Sequence, residues 1–176
     1  MTLAQDGQRP AAARVGLSAA AQRAADRWRE QAELGGHSIE LAGGDEVEVA
    51  ATNGDLDTIL DNLLENALNY TPAREPIALH WGRDRDEAFI AVLDGGPGLD
   101  DDEADHVFDR FYRGSSSKGG SVPGTGLGLA IVETLARRWG ASARLVNRPD
   151  GGARAEVRFP IVPTRAEKRT PTQVAT

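Results

Sequence analysis

The sequence predicts a single α/β domain of the α+β type, and three observations carry that reading. Two stretches, residues 56–68 and 127–139, repeat apolar residues at the helical spacing. Four others, residues 77–81, 88–93, 141–146 and 153–159, read as strands and fall into two neighbouring pairs with turn residues between them. Glycine or proline closes most of these runs, which fixes where the elements stop. A chain of 176 residues with 40% hydrophobic and 27% charged residues is long and apolar enough for one buried core.

Taken in order, residues 1–14 show no sustained periodicity and are expected to be a flexible lead-in, with the domain running over 15–162 and a flexible tail over 163–176. Ser18 is expected to cap a first helix with Ala21, Ala24, Ala25, Trp28 and Ala32 on one face, stopped by Gly35 and Gly36. Residues 38–41 and 47–51 suggest a hairpin around Gly43 and Gly44. The clearest helix follows: Leu56, Ile59, Leu60, Leu63, Leu64, Ala67 and Leu68 hold the i, i+3, i+4, i+7 pattern until Pro72 ends it. Two strands at 77–81 and 88–93 are joined by a charged turn around 83–86, and residues 101–110 read as a short helix that starts with acidic residues. Residues 114–126 combine serines with glycines, have no apolar period and are expected to be a mobile loop. A last helix over 127–139 ends at Gly140, and a hairpin turning at 149–152 closes the domain.

Several classes of function are excluded or disfavoured by composition. Without cysteine there are no disulfides, thiolate metal sites or cysteine nucleophiles. A net charge of −7, from 20 basic and 27 acidic residues, argues against a nonspecific nucleic-acid binder, which needs a basic face to displace counterions. No apolar run approaches the roughly 18–20 residues of a membrane-spanning helix, and the first ten residues lack the layout of a secretion signal, so the piece is expected to be soluble. His37, His80 and His106 are scattered without metal-ligand spacing.

Four segments could carry chemistry. Each residue of a helix advances about 100° around its axis, so Asn62, Asn66 and Asn69 line one border of the apolar stripe, while Glu65 falls on the opposite face. Such a row of amides can face a ligand or simply a solvated border. Asp94-Gly95-Gly96-Pro97-Gly98 follows a strand that would deliver the carboxylate to its end, with glycines that let backbone approach a flat ligand; the same pattern is common in plain turns. Phe108-Asp109-Arg110-Phe111-Tyr112-Arg113 sets two guanidinium groups among aromatics, suited either to phosphate or to a solvated helix end. Gly124-Thr125-Gly126-Leu127-Gly128-Leu129 opens the last helix, whose free N–H groups favour a phosphate chain, or else serves as a flexible link. It is not a dinucleotide fingerprint, lacking the third glycine and a βαβ unit, and no Gly-Lys-Ser/Thr of a Walker loop is present.

Together, in this order, the segments resemble the N, G1, F and G2 boxes of bacterial sensor histidine kinases, with residues 62–72, 94–98, 108–113 and 124–129 in those roles. The resemblance covers residues 15–162 and implies a Bergerat fold of the GHKL superfamily: a two-layer sandwich of a mixed, mostly antiparallel sheet backed by about three helices, with an ATP lid over residues 99–125. It further implies that Asn62 and Asn66 help hold Mg²⁺ against the phosphates of ATP and that the Asp94 carboxylate accepts from the adenine amino group. By the same resemblance Gly96, Gly98 and Leu99 are expected to shape the base pocket, Asn69 and Tyr70 to lie near the nucleotide, and Arg110 and Arg113 to reach for phosphate. Gly124, Thr125, Gly126, Leu127, Gly128 and Leu129 are expected to form the lid hinge and phosphate cradle. Phosphoryl transfer asks mainly for positioning and charge neutralisation, and these residue types supply both.

The chain departs from the family pattern at three places. Asn69 stands where Lys or Arg is usual, Arg154 stands where the last hairpin often has Thr, and no phospho-accepting His-Glu/Asp sequence is visible. The resemblance therefore implies that the histidine comes from a dimerisation domain elsewhere, in a longer parent chain or in the other half of a split kinase, with a response regulator downstream. It places the piece in the cytoplasm, monomeric when isolated, in a parent that can be anchored in the bacterial inner membrane. Two alternatives are an anti-sigma-like serine kinase that acts by binding a partner, and a degenerate nucleotide sensor. The first is disfavoured because such relatives tend to carry Glu at the position of Asn62, and an amide is no general base near neutral pH.

Overall fold

The computed structural model describes residues 11–44, 46–100, 103, 106–110 and 126–161. Strand β1 (Ala13–Gly16) leads into helix α1 (Leu17–Leu34), then β2 (Ile39–Gly43), β3 (Glu48–Ala51), helix α2 (Asn53–Tyr70), β4 (Ile77–Asp84), β5 (Glu87–Leu93), helix α3 (Gly128–Arg138), β6 (Ser142–Asn147) and β7 (Ala153–Pro160). Five strands form one mixed sheet in the order β2-β4-β5-β7-β6, and β1 pairs with β3 in a separate ribbon.

Alternation along the strands decides which face is covered. Ile77, Leu79, Ile90, Val92, Ala155, Val157 and Phe159 point to the helices and join Ala20, Ala24, Leu60, Leu64, Val132 and Ala136 in one core. His80, Phe89, Arg154 and Arg158 lie on the other face, which no helix of the described residues covers, with the buried Glu156 among them. Alanines on the inner face of α1 let it sit close to its neighbours, and its outer border is tied to α2 by Arg23 to Asp57 at 3.1 Å, Arg27 to Asp61 at 2.8 Å, and the Trp28 indole N–H to Asp61 at 2.8 Å.

Several expectations are corrected. The segments expected to form a hairpin go to different sheets: β2 runs parallel to β4 with Ile39 beside Ile77, and β3 pairs antiparallel with β1. Gly43, expected as a turn residue, instead lies against the Trp81 indole, where a Cβ would overlap the ring. Alternation identifies a strand but not its partner; here the partly buried Ile39 lies beside the fully buried Ile77. The lead-in is shorter than expected, since β1 begins at Ala13, opposite Ala51. Ser18 does not cap α1; Gly16 takes that position, and the Ser18 hydroxyl bonds the Glu46 carboxylate instead. Thr52 caps α2, its side chain accepting from the Asp55 N–H at 3.1 Å. In the expected helix at 101–110, the described residues, Glu103 and residues 106–110, form turns and a bend, with the N–H groups of Glu103, His106, Val107 and Asp109 bonding three or four residues back. The expected loop at 114–126 lies outside the described residues except for Gly126.

Candidate functional site

The frame of the site is the antiparallel pair α2 and α3. At one end of the pair, Asp55 in the first turn of α2 accepts from the Trp139 indole at 2.7 Å and pairs with Arg138 at 3.3 Å, which pins the end of α3. That contact leaves the start of α3 beside the middle of α2. The Asn62 Nδ2 donates to the Thr58 carbonyl one turn back at 2.8 Å. Its Oδ1 thereby faces Gly128, close enough that a Cβ there would come within 3.0 Å of it. Helix α3 begins at Gly128, behind Leu127 at the cap position, with no side-chain cap and no acidic residue in its first turn. Its first N–H groups and the positive end of its dipole are therefore presented next to the amide of Asn62, an arrangement suited to an anion chain.

Asp94 sits at the far end of the same stretch of α2. It follows β5, is 5% exposed, and is held by backbone on three sides. Its N–H donates to the Ala153 carbonyl at 3.0 Å, and its Oδ1 accepts from the Gly96 N–H at 2.9 Å and the Ala153 N–H at 3.1 Å. Oδ2 carries no hydrogen bond to a described residue, so it is the oxygen available for a ligand donor. Burial pushes the Asp94 carboxyl above its ordinary range, and the N–H groups of Gly96 and Ala153 and the charge of Arg148 oppose that shift. Gly96 is buried against the end of α2, where a Cβ would approach the Tyr70 carbonyl to 2.9 Å, so the absence of a side chain lets the loop close on the helix.

The other sequence-identified residues fall as follows. Asn66, Asn69 and Tyr70 are partly exposed on the last turns of α2, and Leu99 and Leu129 are partly buried against the core. Gly98 and Gly126 take positive φ, 77° and 69°. Arg110 is exposed in its turn. Arg113, Gly124 and Thr125 lie outside the described residues. Arg154, the departure from the usual Thr, points to the uncovered face, bonded to Glu156 at 2.8 Å and set over the Phe89 ring at 5.1 Å. It adds no cation beside Asp94. Asn147 and Arg148 were not singled out in the sequence, yet they hold the Asp94 segment from across the sheet. Their only local signal is the Gly151-Gly152 turn that follows them.

Mg²⁺ prefers oxygen ligands and keeps most of its shell as water or phosphate. Among the described residues no three His, Cys, Asp or Glu side chains gather as a metal site, and amide oxygens such as those of Asn62 and Asn66 fit as the protein's ligands to an ion carried in on phosphates.

Fold and sequence together define the class of protein as an ATPase domain. Residues 51–163 match the family described as histidine kinase-, DNA gyrase B-, and HSP90-like ATPase, and the chain belongs to that family. Within it the similarities run to sensor kinases: the chain is 33% identical over 136 residues to the phosphate regulon sensor protein PhoR of Pseudomonas aeruginosa, covering 77% of this chain and 31% of that one. It is 41% identical over 109 residues to the signal transduction histidine-protein kinase AfsQ2 of Streptomyces coelicolor, covering 62% of this chain and 20% of the relative. The chain thus spans a third or less of the length of these relatives. Among solved structures it resembles the mycobacterial sensor histidine kinase MprB, with a TM-score of 0.74, 25% identity, and coverage of 87% of this chain and 99% of that one. The ATP-binding domain of PrrB from Mycobacterium tuberculosis gives 0.69 at 26% identity, covering 88% and 100%.

Proposed function

We propose that the chain binds Mg-ATP and delivers the γ-phosphate to a histidine on a separate dimerisation domain, as the catalytic part of a two-component sensor kinase. The observation that carries the reading is the spacing along α2. Asn62, beside the open start of α3, and Tyr70, beside Gly96 and Asp94, are eight residues apart on one helix, which at about 1.5 Å per residue is roughly 12 Å. That is the reach of a nucleoside triphosphate from base to phosphates. Asp94 Oδ2 accepts from the adenine amine, while Asn62 and Asn66 with the α3 N–H groups hold the phosphate end. Arg110 and Arg113 reach the phosphates from the segment before the glycine-rich stretch 114–126. When bound, Mg²⁺ supplies charge neutralisation on the transferred phosphoryl group. The protein supplies orientation and an electrostatic cradle rather than a base, since amides cannot take a proton at neutral pH.

The histidine-bearing domain, in the parent chain or a split partner, and a downstream response regulator belong to the same proposal, as does a cytoplasmic setting. No helix among the described residues is long and apolar enough to cross a membrane.

The test is calorimetric titration of ATP and GTP, with and without Mg²⁺, followed by transfer of labelled phosphate to a histidine-bearing dimerisation domain in trans. Adenine-selective binding with transfer supports the reading. Binding without transfer to any histidine domain would favour a nucleotide sensor, and no binding to folded protein would remove the site altogether.

A further inference from the structure

The Gly95-Gly96-Pro97-Gly98 loop has little conformational preference of its own, because three of its four residues are glycine. Its two ends are nevertheless fixed, and from outside. Asn147, the last residue of β6, sets its amide against the backbone of Leu99: Oδ1 accepts from the Leu99 N–H at 2.7 Å and Nδ2 donates to the Leu99 carbonyl at 2.9 Å. One side chain thereby does what a neighbouring strand would do for that residue. Gly98 makes room for it, since a Cβ there would lie 2.6 Å from Asn147 Oδ1. At the other end, the Arg148 guanidinium donates to the Asp94 carbonyl at 2.8 Å, and Gly152 packs where a Cβ would overlap that same oxygen. The turn between β6 and β7 grips residues 94 and 99 and leaves the glycines between them spanning two fixed points.

We infer that Asn147 is a positioning residue for nucleotide binding, holding Leu99 and the wall beside Asp94 in the geometry that receives the base. The inference rests on the nucleotide-site reading above. Asn147 is itself exposed, so its two bonds add little to the core. Their effect is to set the loop before the ligand arrives, which removes an ordering cost from binding.

The experiment titrates ATP into the full chain and its Asn147→Ala variant, with thermal melting and amide exchange at Leu99 measured on the same samples. Loss of the fork is expected to weaken ATP binding about tenfold, the scale of one unsatisfied hydrogen-bonding group, with melting nearly unchanged and faster exchange at Leu99. In the Asp94→Asn background the same change is expected to cost no more than about threefold, because both residues act on the same wall. Should Asn147→Ala fail to fold, Asn147→Asp keeps the acceptor for the Leu99 N–H but sets an oxygen against its carbonyl, and weaker ATP binding is again expected. ATP affinity within about twofold of the parent in the variant that folds, or a full additive loss on Asp94→Asn, would overturn the positioning role while leaving the nucleotide site standing. A parent chain that binds no ATP would overturn both.

Discussion

Burial pushes the Asp94 carboxyl above its ordinary value of about 3.9, so between that value and the raised one the folded chain holds the proton more tightly than the unfolded chain. The contribution of this group to stability therefore falls as pH rises through that window, and at neutral pH the ionised side chain is kept at a cost to the fold. Asp94→Asn should leave the melting midpoint at pH 7 level or raise it, while ATP affinity drops by roughly 1–3 kcal/mol. Melting and calorimetry on one preparation check this; a lower midpoint with unchanged affinity would make the carboxylate a purely structural group. At Asn66 the expectation is different. Asn66→Ala should reduce the Mg²⁺ dependence of ATP binding with little effect on metal-free binding, and an unaltered dependence in paired titrations would take that amide out of the metal's shell. Both residues were legible in the sequence because their signals are local: an amide on a helix border and an aspartate between a strand and glycines. Asn147 was not, because its partner lies 48 positions away and an asparagine before a turn is ordinary in itself.

The helix pair depends on a contact that links α2 near its beginning to α3 at its end. Asp55 serves α2 as an acidic first-turn residue and serves α3 as acceptor for Trp139 and partner of Arg138. Asp55→Ala is expected to destabilise the chain by about 1–3 kcal/mol and to weaken ATP binding as well, because the start of α3 loses its register against Asn62. Chemical denaturation paired with titration distinguishes the outcomes, and a stability loss without any change in affinity would show that α3 is placed by its apolar face alone. The helices were readable from period and stop signals, to within a residue or two for α3. The strands were readable as strands, whereas the pairing of β2 with β4 was not. Their contact is parallel and spans the whole of β3 and α2, and nothing in five residues of sequence specifies so distant a neighbour.

Across the whole molecule, the sheet separates two chemistries. The face under the helices carries the core and the candidate site, and the opposite face carries a charged cluster centred on Glu156. Burial alone would push the Glu156 carboxyl up, but hydrogen bonds from Arg158 at 2.7 Å and Arg154 at 2.8 Å outweigh it and hold the group below the ordinary glutamate value of about 4.3. A depressed value means stability that is present above the unfolded-state value and lost as pH falls through the folded one. Urea titrations between neutral and strongly acid pH should show that loss in the parent, and Glu156→Gln should be less stable at neutral pH with a flatter acid limb. Identical acid limbs in the two proteins would assign the loss to other carboxylates. The layered class of the domain was evident from the order of its patterns, but this cluster was not, since Arg154, Glu156 and Arg158 look like an ordinary solvated strand face until Phe89 is found beneath the two guanidinium groups.

The small ribbon of β1 and β3 has a mechanical consequence. Ala13 pairs with Ala51, one residue before the Thr52 cap of α2, and the Leu17 N–H bonds the Val47 carbonyl at the other end of the ribbon. Tension carried along the chain toward Ala13 is borne first by this ladder and reaches the root of the amide-bearing helix before it reaches the five-stranded sheet. Pulled from its beginning, the domain should yield at β1 first, and the load path ends at the helix that would hold the phosphates.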